Sequence, residues 1–210
     1  MKVTEKISHA AERKAFETIL DSMIKKAQTQ DVGELAESLI DLINKIQKDT
    51  WSDAAYATLR QIAHEPDGKW AHYLKRVVRD NDPYILRTFL TNAAYEGGFR
   101  GYQTAKENAQ KLDCNIPWLI LMDPTSACNM HCTGCWAAEY GHKQSLTYEE
   151  MDRVLTEAKE LGTHACLFTG GEPLIRKNDI IRLCDKHRDI AFHAFTNGTL
   201  IDDELCREML

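Results

Sequence analysis

Three cysteines fall within eight residues, Cys128-Asn129-Met130-His131-Cys132-Thr133-Gly134-Cys135. Thiolates spaced this closely can grip one metal centre, and two chemistries fit. Three thiolates can hold three corners of an iron–sulfur cubane and leave the fourth iron open to a cofactor or substrate, whereas electron-transfer clusters use four cysteines. The same spacing suits a zinc ion bound by three cysteines and one histidine, with His131 or His142 as the fourth ligand. Two further groups follow along the chain. In Thr169-Gly170-Gly171-Glu172-Pro173 the glycines let the backbone approach a ligand closely. Free carbonyls there can accept from an ammonium group, and Glu172 adds negative charge. Thr196-Asn197-Gly198 contributes a hydroxyl and an amide. Each group alone is weak, because a Gly-Gly pair in a loop is usually just a turn. In order, and each directly after a strand, the three together are specific.

The elements that must position these groups alternate between strand and helix. Trp118–Met122 reads as a short apolar strand, and the cysteine loop follows it. Thr147 begins a helix with Glu149 and Glu150 in its first turn, where the helix dipole favours acidic groups. Met151, Val154, Leu155 and Ala158 line its inner face, and Gly162 stops it. His164–Phe168 is a second strand, closed by the Gly-Gly loop. Residues 178–187 form the next helix, Ile190–Phe195 the third strand, and Asp202 starts a last helix. Strand and helix alternating three times predict a parallel sheet with right-handed crossovers. The loops after the strands then gather at one sheet edge, where α/β proteins place ligands.

Before Leu112–Pro117 the pattern is helical, so we expect domains at 1–112 and 113–210. Ile7, Ala10, Ala11, Phe16, Ile19, Leu20, Met23 and Ala27 form one apolar stripe. Asp31 is a candidate cap for a second helix bearing Leu35, Leu39, Leu42 and Ile46, and Ser52 for a third. Pro66-Asp67-Gly68 reads as a turn. A helix with Trp70, Tyr73, Leu74 and Val77 follows. Asp82-Pro83 is a cap with a first-turn proline, and Gly97-Gly98 is expected to break the run it opens. Trp51, Tyr56, Trp70 and Tyr73 read as core. Lys75, Arg76 and Arg79 read as a solvated face.

The cysteine run, Thr169–Leu174 and Thr196–Gly198 together resemble the radical S-adenosylmethionine (SAM) superfamily, over Pro117 to Leu210. The resemblance implies a helical N-terminal region followed by a parallel β/α partial barrel, here three units where the family commonly has six. It implies a chain that is a fragment of a longer protein. It implies a [4Fe–4S] cluster on Cys128, Cys132 and Cys135, with SAM chelating the open iron. Gly170, Gly171 and Glu172 would then meet the methionyl amino group, and Thr196 and Asn197 would face SAM or substrate. The implied activity is reductive cleavage of SAM to a 5′-deoxyadenosyl radical, chemistry that the cofactor performs and the protein positions. An electron donor such as a flavodoxin or ferredoxin would be needed. The alternative is a cluster-bearing binding or regulatory protein without SAM turnover. Gly134 stands where the family often has an aromatic residue; Trp136, just after the third cysteine, is expected to pack against the barrel. Tyr140 and His142 are minor candidates for SAM or substrate contacts.

The bulk properties narrow the class. The chain has 210 residues, a formal net charge of −6 and seven cysteines. That charge, with no broad basic surface, speaks against nucleic acid as a partner. No segment approaches the roughly 20 apolar residues that span a bilayer, and the charged N-terminus lacks a signal-peptide core. A cytoplasmic location is expected, where clustered cysteines serve metals rather than disulfides. Cys166, Cys184 and Cys206 read as structural, Cys114 lies in the linker, and His193 is expected to be a core histidine.

Overall fold

The computed structural model describes residues 3–27, 37, 40, 53–63, 65, 68–137, 141 and 143–209. They divide into two compact units, Met1–Thr91 and Asn92–Leu210. Trp51, Ser52, Tyr140, His142, Pro66-Asp67 and most of the expected 31–46 helix lie outside the described residues.

The first unit contains helices α1 (Val3–Ala27), α2 (Asp53–Ala63), α3 (Lys69–Asp80) and α4 (Pro83–Leu90). Asp82 caps α4, its carboxylate accepting from Tyr84 N at 2.7 Å with Pro83 in the first turn. Arg87 of α4 pairs with Asp21 of α1 at 3.1 Å. The buried side of α1 is Leu20 and Ile24, while Ile19, Ala10 and Ala11 are exposed. The apolar stripe is therefore narrower than the sequence suggests. The aromatic expectation also needs correction. Tyr56 is buried, but Trp70 and Tyr73 are 51% and 58% exposed and meet edge to face. The residue α3 buries is the small Ala71, so its large aromatics point away from its neighbours. Lys75, Arg76 and Arg79 are exposed, as expected of a solvated face.

Residues 92–112 are helical and belong to the second unit. A π-helix (Thr91–Gly101) runs straight through Gly97-Gly98 into α5 (Tyr102–Leu112). The expected break is thus absent. Glycine serves here for close approach instead: a Cβ on Gly101 would collide with the carbonyl of Gly162, and one on Gly162 with that of Gly101. Gly162 itself ends a helix at φ +105°, a conformation glycine adopts without strain.

Strands β1 (Ile120–Met122), β2 (Ala165–Phe168) and β3 (Ala191–Ala194) form a parallel sheet in the order β1-β2-β3. Each is followed by a helix: α6 (Tyr148–Leu161), α7 (Lys177–Lys186) and α8 (Asp203–Glu208). The second unit is therefore three β/α units of a partial barrel, following a helical N-terminal region. Thr147 and Glu150 close a reciprocal capping box on α6, and Asp202 caps α8. Successive strand residues face opposite sides. Met122, Cys166 and Phe168 join Met151 and Leu155 of α6, Ile180 and Leu183 of α7 and Leu205 of α8 in the core. The row Leu121–Leu167–His193 lies on the other face, where Leu121 is 60% exposed. His193 is accordingly exposed and not a core residue.

Contacts from 92–112 seal the end of the sheet at which the strands begin. Asn92 Nδ2 donates to the carbonyls of Arg188 (2.9 Å) and Ile190 (3.0 Å), just before β3. Asn108 Nδ2 donates to Glu160 O at 3.1 Å, near the end of α6. Thr163 Oγ1 donates to Pro117 O at 2.5 Å, linking the segments that enter β2 and β1. The opposite end, where the motif loops lie, carries none of this sealing helix. Among the described residues no helix is long and apolar enough to cross a membrane.

Replacing Gly101 by alanine tests the crossing. In an ordinary helix the exchange stabilises by about 1 kcal/mol. Here the collision with the Gly162 carbonyl reverses the sign, with a loss of about 1–3 kcal/mol, the cost of overpacking. Urea unfolding of the variant should show a lower midpoint; a raised midpoint would mean that the two backbones do not meet.

Candidate functional site

The cysteine loop leaves β1 at Asp123 and is closed at its neck. Leu146 N donates to Pro124 O (3.1 Å) and Ser126 N to Gln144 O (2.8 Å), giving a short antiparallel bridge around Thr125 and Ser145. Side chains reinforce it: Ser145 Oγ donates to Thr125 Oγ1 at 2.8 Å, and Gln144 N donates to Ser126 Oγ at 3.1 Å. Arg176, in the short 3₁₀ turn Pro173–Arg176, clamps both sides of the neck. Its Nη1 donates to Leu146 O (2.7 Å) and Pro124 O (3.3 Å), while Asp179 holds the guanidinium through Nε and Nη2. No feature of the motif pattern singles out Arg176.

The second group lies directly against the loop. Gly171 N donates to Thr125 O (3.0 Å) and Glu172 N to Ala127 O (2.8 Å). A Cβ on Gly171 would overlap the Ala127 carbonyl, and Gly170, at φ +101°, approaches Thr125 O and Asp123. Both glycines thus serve the fit of one loop on another. Glu172 is 1% exposed. Its Oε1 accepts from Leu174 N (2.9 Å) and Thr196 Oγ1 (2.8 Å), and its Oε2 accepts from Asn197 N (2.8 Å). The carboxylate binds the second group to the third.

The third group returns to the first. Asn197 Nδ2 donates to Asn129 Oδ1 at 2.9 Å, and Asn129 lies next to Cys128. Cys128, Cys132 and Cys135 therefore share a loop tied to Gly170–Glu172 and Thr196–Asn197, as the sequence order requires. Cys132 O accepts from Cys135 N in a tight turn, and no disulfide joins any of the seven cysteines. Among the described residues no three His, Cys, Asp or Glu side chains converge closely enough to hold a metal ion. The donor set nevertheless suits an iron–sulfur cluster in kind: three soft thiols in one short loop, two half-buried and one exposed.

A cleft of about 700 Å³ runs beside the loop, lined in part by Leu121, Asp123, Ser126, Trp136, Gly170 and Gly171. Partial burial pushes the Asp123 carboxyl above the ordinary carboxylate range. Trp136 is 57% exposed and lines this cleft, and so is not packed into the barrel as expected. Cys166 and Cys184 are structural, as read: burial pushes each thiol up to about 12. Cys114 and Cys206 are exposed.

Residues 122–210 match the sequence model of the family described as the Radical SAM superfamily. Over this stretch the chain is similar to that superfamily. Among similar curated proteins, an uncharacterized protein of Archaeoglobus fulgidus is 34% identical over 87 residues, 40% of this chain and 20% of its own. An Fe-coproporphyrin III synthase of Methanosarcina barkeri is 32% identical over 95 residues, 43% of this chain and 24% of its own. A GTP 3′,8-cyclase of Desulforamulus reducens is 39% identical over 76 residues, 34% of this chain and 23% of its own. The chain thus spans about a quarter or less of the length of these relatives. No solved structure matches.

Two measurements follow from the site. Glu172→Gln puts an amide NH₂ where one oxygen accepts only N–H or O–H donors. It should cost about 1–3 kcal/mol in urea unfolding, the penalty of a buried unpaired donor; wild-type stability would show that the carboxylate does not bridge the loops. Alkylation of the metal-free chain near pH 8 should spare Cys166 and Cys184 while modifying the exposed Cys132, since the thiolate is the reactive form. Mass spectrometry showing Cys166 modified first would contradict their burial.

Proposed function

We propose that the chain carries the cluster-binding part of a radical SAM enzyme. The observation that carries this reading is the hydrogen-bonded union of three loops at one sheet edge: the cysteine loop, Gly170–Glu172 and Thr196–Asn197. Cys128, Cys132 and Cys135 would hold the [4Fe–4S] cluster. When bound there, the cluster and SAM would supply one-electron reductive cleavage chemistry directed at hydrogen abstraction from a substrate.

The chain's own residues do the positioning. The closed neck and the Arg176 clamp fix where the cysteine loop leaves the sheet. Gly170 and Gly171 bring backbone to the loop with no side chain between, so their edge of the cleft stays open to an amino-acid headgroup. Glu172 acts through Thr196 and Asn197, orienting the third loop rather than supplying a charge at the surface. The cleft, at about 700 Å³, is of a size that takes a nucleoside-bearing ligand. The names of the relatives describe different reactions, so the shared stretch supports a reaction class and no one substrate. A flavodoxin- or ferredoxin-type donor would supply the electron.

Anaerobic reconstitution should load about four irons per chain, and Cys132→Ala should abolish the brown absorbance. With dithionite and SAM, chromatography should detect 5′-deoxyadenosine. Full iron content in the triple alanine variant of Cys128, Cys132 and Cys135 would refute the assignment. Iron without 5′-deoxyadenosine would favour a cluster-bearing binding protein, and a colourless zinc protein would favour the Cys₃His alternative.

A further inference from the structure

Asn129, Thr199 and Asn197 form a closed head-to-tail ring of hydrogen bonds. Asn197 Nδ2 donates to Asn129 Oδ1 at 2.9 Å, Asn129 Nδ2 to Thr199 Oγ1 at 2.8 Å, and Thr199 Oγ1 to Asn197 Oδ1 at 2.7 Å. Thr199 N adds a bond to the same Asn197 oxygen at 3.0 Å. Each donor's group is also an acceptor, so each bond polarises the next. The ring spans about seventy residues of sequence and lies at the mouth of the site, with all three side chains exposed. It joins what the buried Glu172 already joins from below: Glu172 N holds Ala127 O, and Glu172 Oε2 holds Asn197 N.

Cys128 is thereby pinned on both sides, through the Ala127 carbonyl and through the Asn129 side chain. Further along the cysteine run, Cys135 N donates to Cys132 O in a local turn. We propose that Asn129 and Thr199 are positioning residues that lock Cys128 to the loop after β3. This rests on reading the three cysteines as cluster ligands. Thr199 lies just outside the motif Thr196-Asn197-Gly198, and its part in the ring comes from geometry alone.

The ring can be tested in the full chain with Thr199→Val, Thr199→Ser and Asn129→Ala. Both sites are exposed, so the variants should fold. In the metal-free protein, Thr199→Val and Asn129→Ala should speed hydrogen exchange in both 127–130 and 196–199, roughly threefold to tenfold for the net loss of a hydrogen bond. Thr199→Ser, which keeps the hydroxyl, should exchange like wild type. The double variant should exceed either single variant little, because one ring is broken once. After reconstitution, Thr199→Val should alter the paramagnetic resonance spectrum of the reduced cluster, and Thr199→Ser should restore it. Faster exchange confined to 196–199, or a valine variant identical to wild type in both measurements, overturns the proposal. Wild-type protein that takes up no iron would instead defeat the reading of the cysteines, while the exchange data still judge the ring.

Discussion

Glu172 binds the site together because its two ends act on different loops. Its backbone N–H reaches the cysteine loop at Ala127, and its carboxylate reaches Leu174, Thr196 and Asn197. A carboxylate taken almost wholly out of water is costly unless its lone pairs are satisfied. Three donors satisfy this one, and two of them come from the loop after β3. Displacing that loop would leave a buried charge short of partners. Displacing the cysteine loop would strip the Thr125 carbonyl from Gly171 N and the Ala127 carbonyl from Glu172 N. The three loops therefore hold one arrangement cooperatively.

The two ends of the sheet are built by different means. At the end where the strands start, helix meets helix through bare backbone at Gly101 and Gly162, and asparagine amides tie the sealing helix to carbonyls before β3 and in the last turn of α6. Few rotatable side chains take part, so this end is stiff. At the other end every element is a loop, as is usual where binding residues ride on a rigid scaffold. Its order comes from side-chain-to-backbone hydrogen bonds, chiefly those of Glu172, Arg176 and Thr125.

Much of this was legible in the chain itself. The order of β1, α6, β2, α7, β3 and α8 follows from alternation, and Thr147, Gly162, Asp82 and Asp202 mark their helix ends by local chemistry. The three motif loops meet because a parallel sheet leaves them nowhere else to go. What sequence hid depends on distant partners. Gly97-Gly98 looked like a break because their local cost was visible, while the close approach that glycine permits at neighbouring Gly101 was not. Trp70 and Tyr73 looked like core because periodicity shows that a face is apolar but not which part of it is covered. The hydrogen bonds from Glu172 to Thr196 and Asn197 were not visible because these partners lie 24 and 25 residues on. Arg176 and Thr199 carried no signal, since each acts on groups that only folding brings near.

The bridged neck of the cysteine loop makes that loop a cassette. Its two ends are held side by side at 124–126 and 144–146 by bonds that never involve the residues between. The entropic cost of closing such a loop grows only logarithmically with its length, by about 0.6 kcal/mol for each doubling. Extra length within the loop would therefore add little to the cost of closing it. The bridged neck fixes where the loop begins and ends on the sheet independently of how much chain lies between.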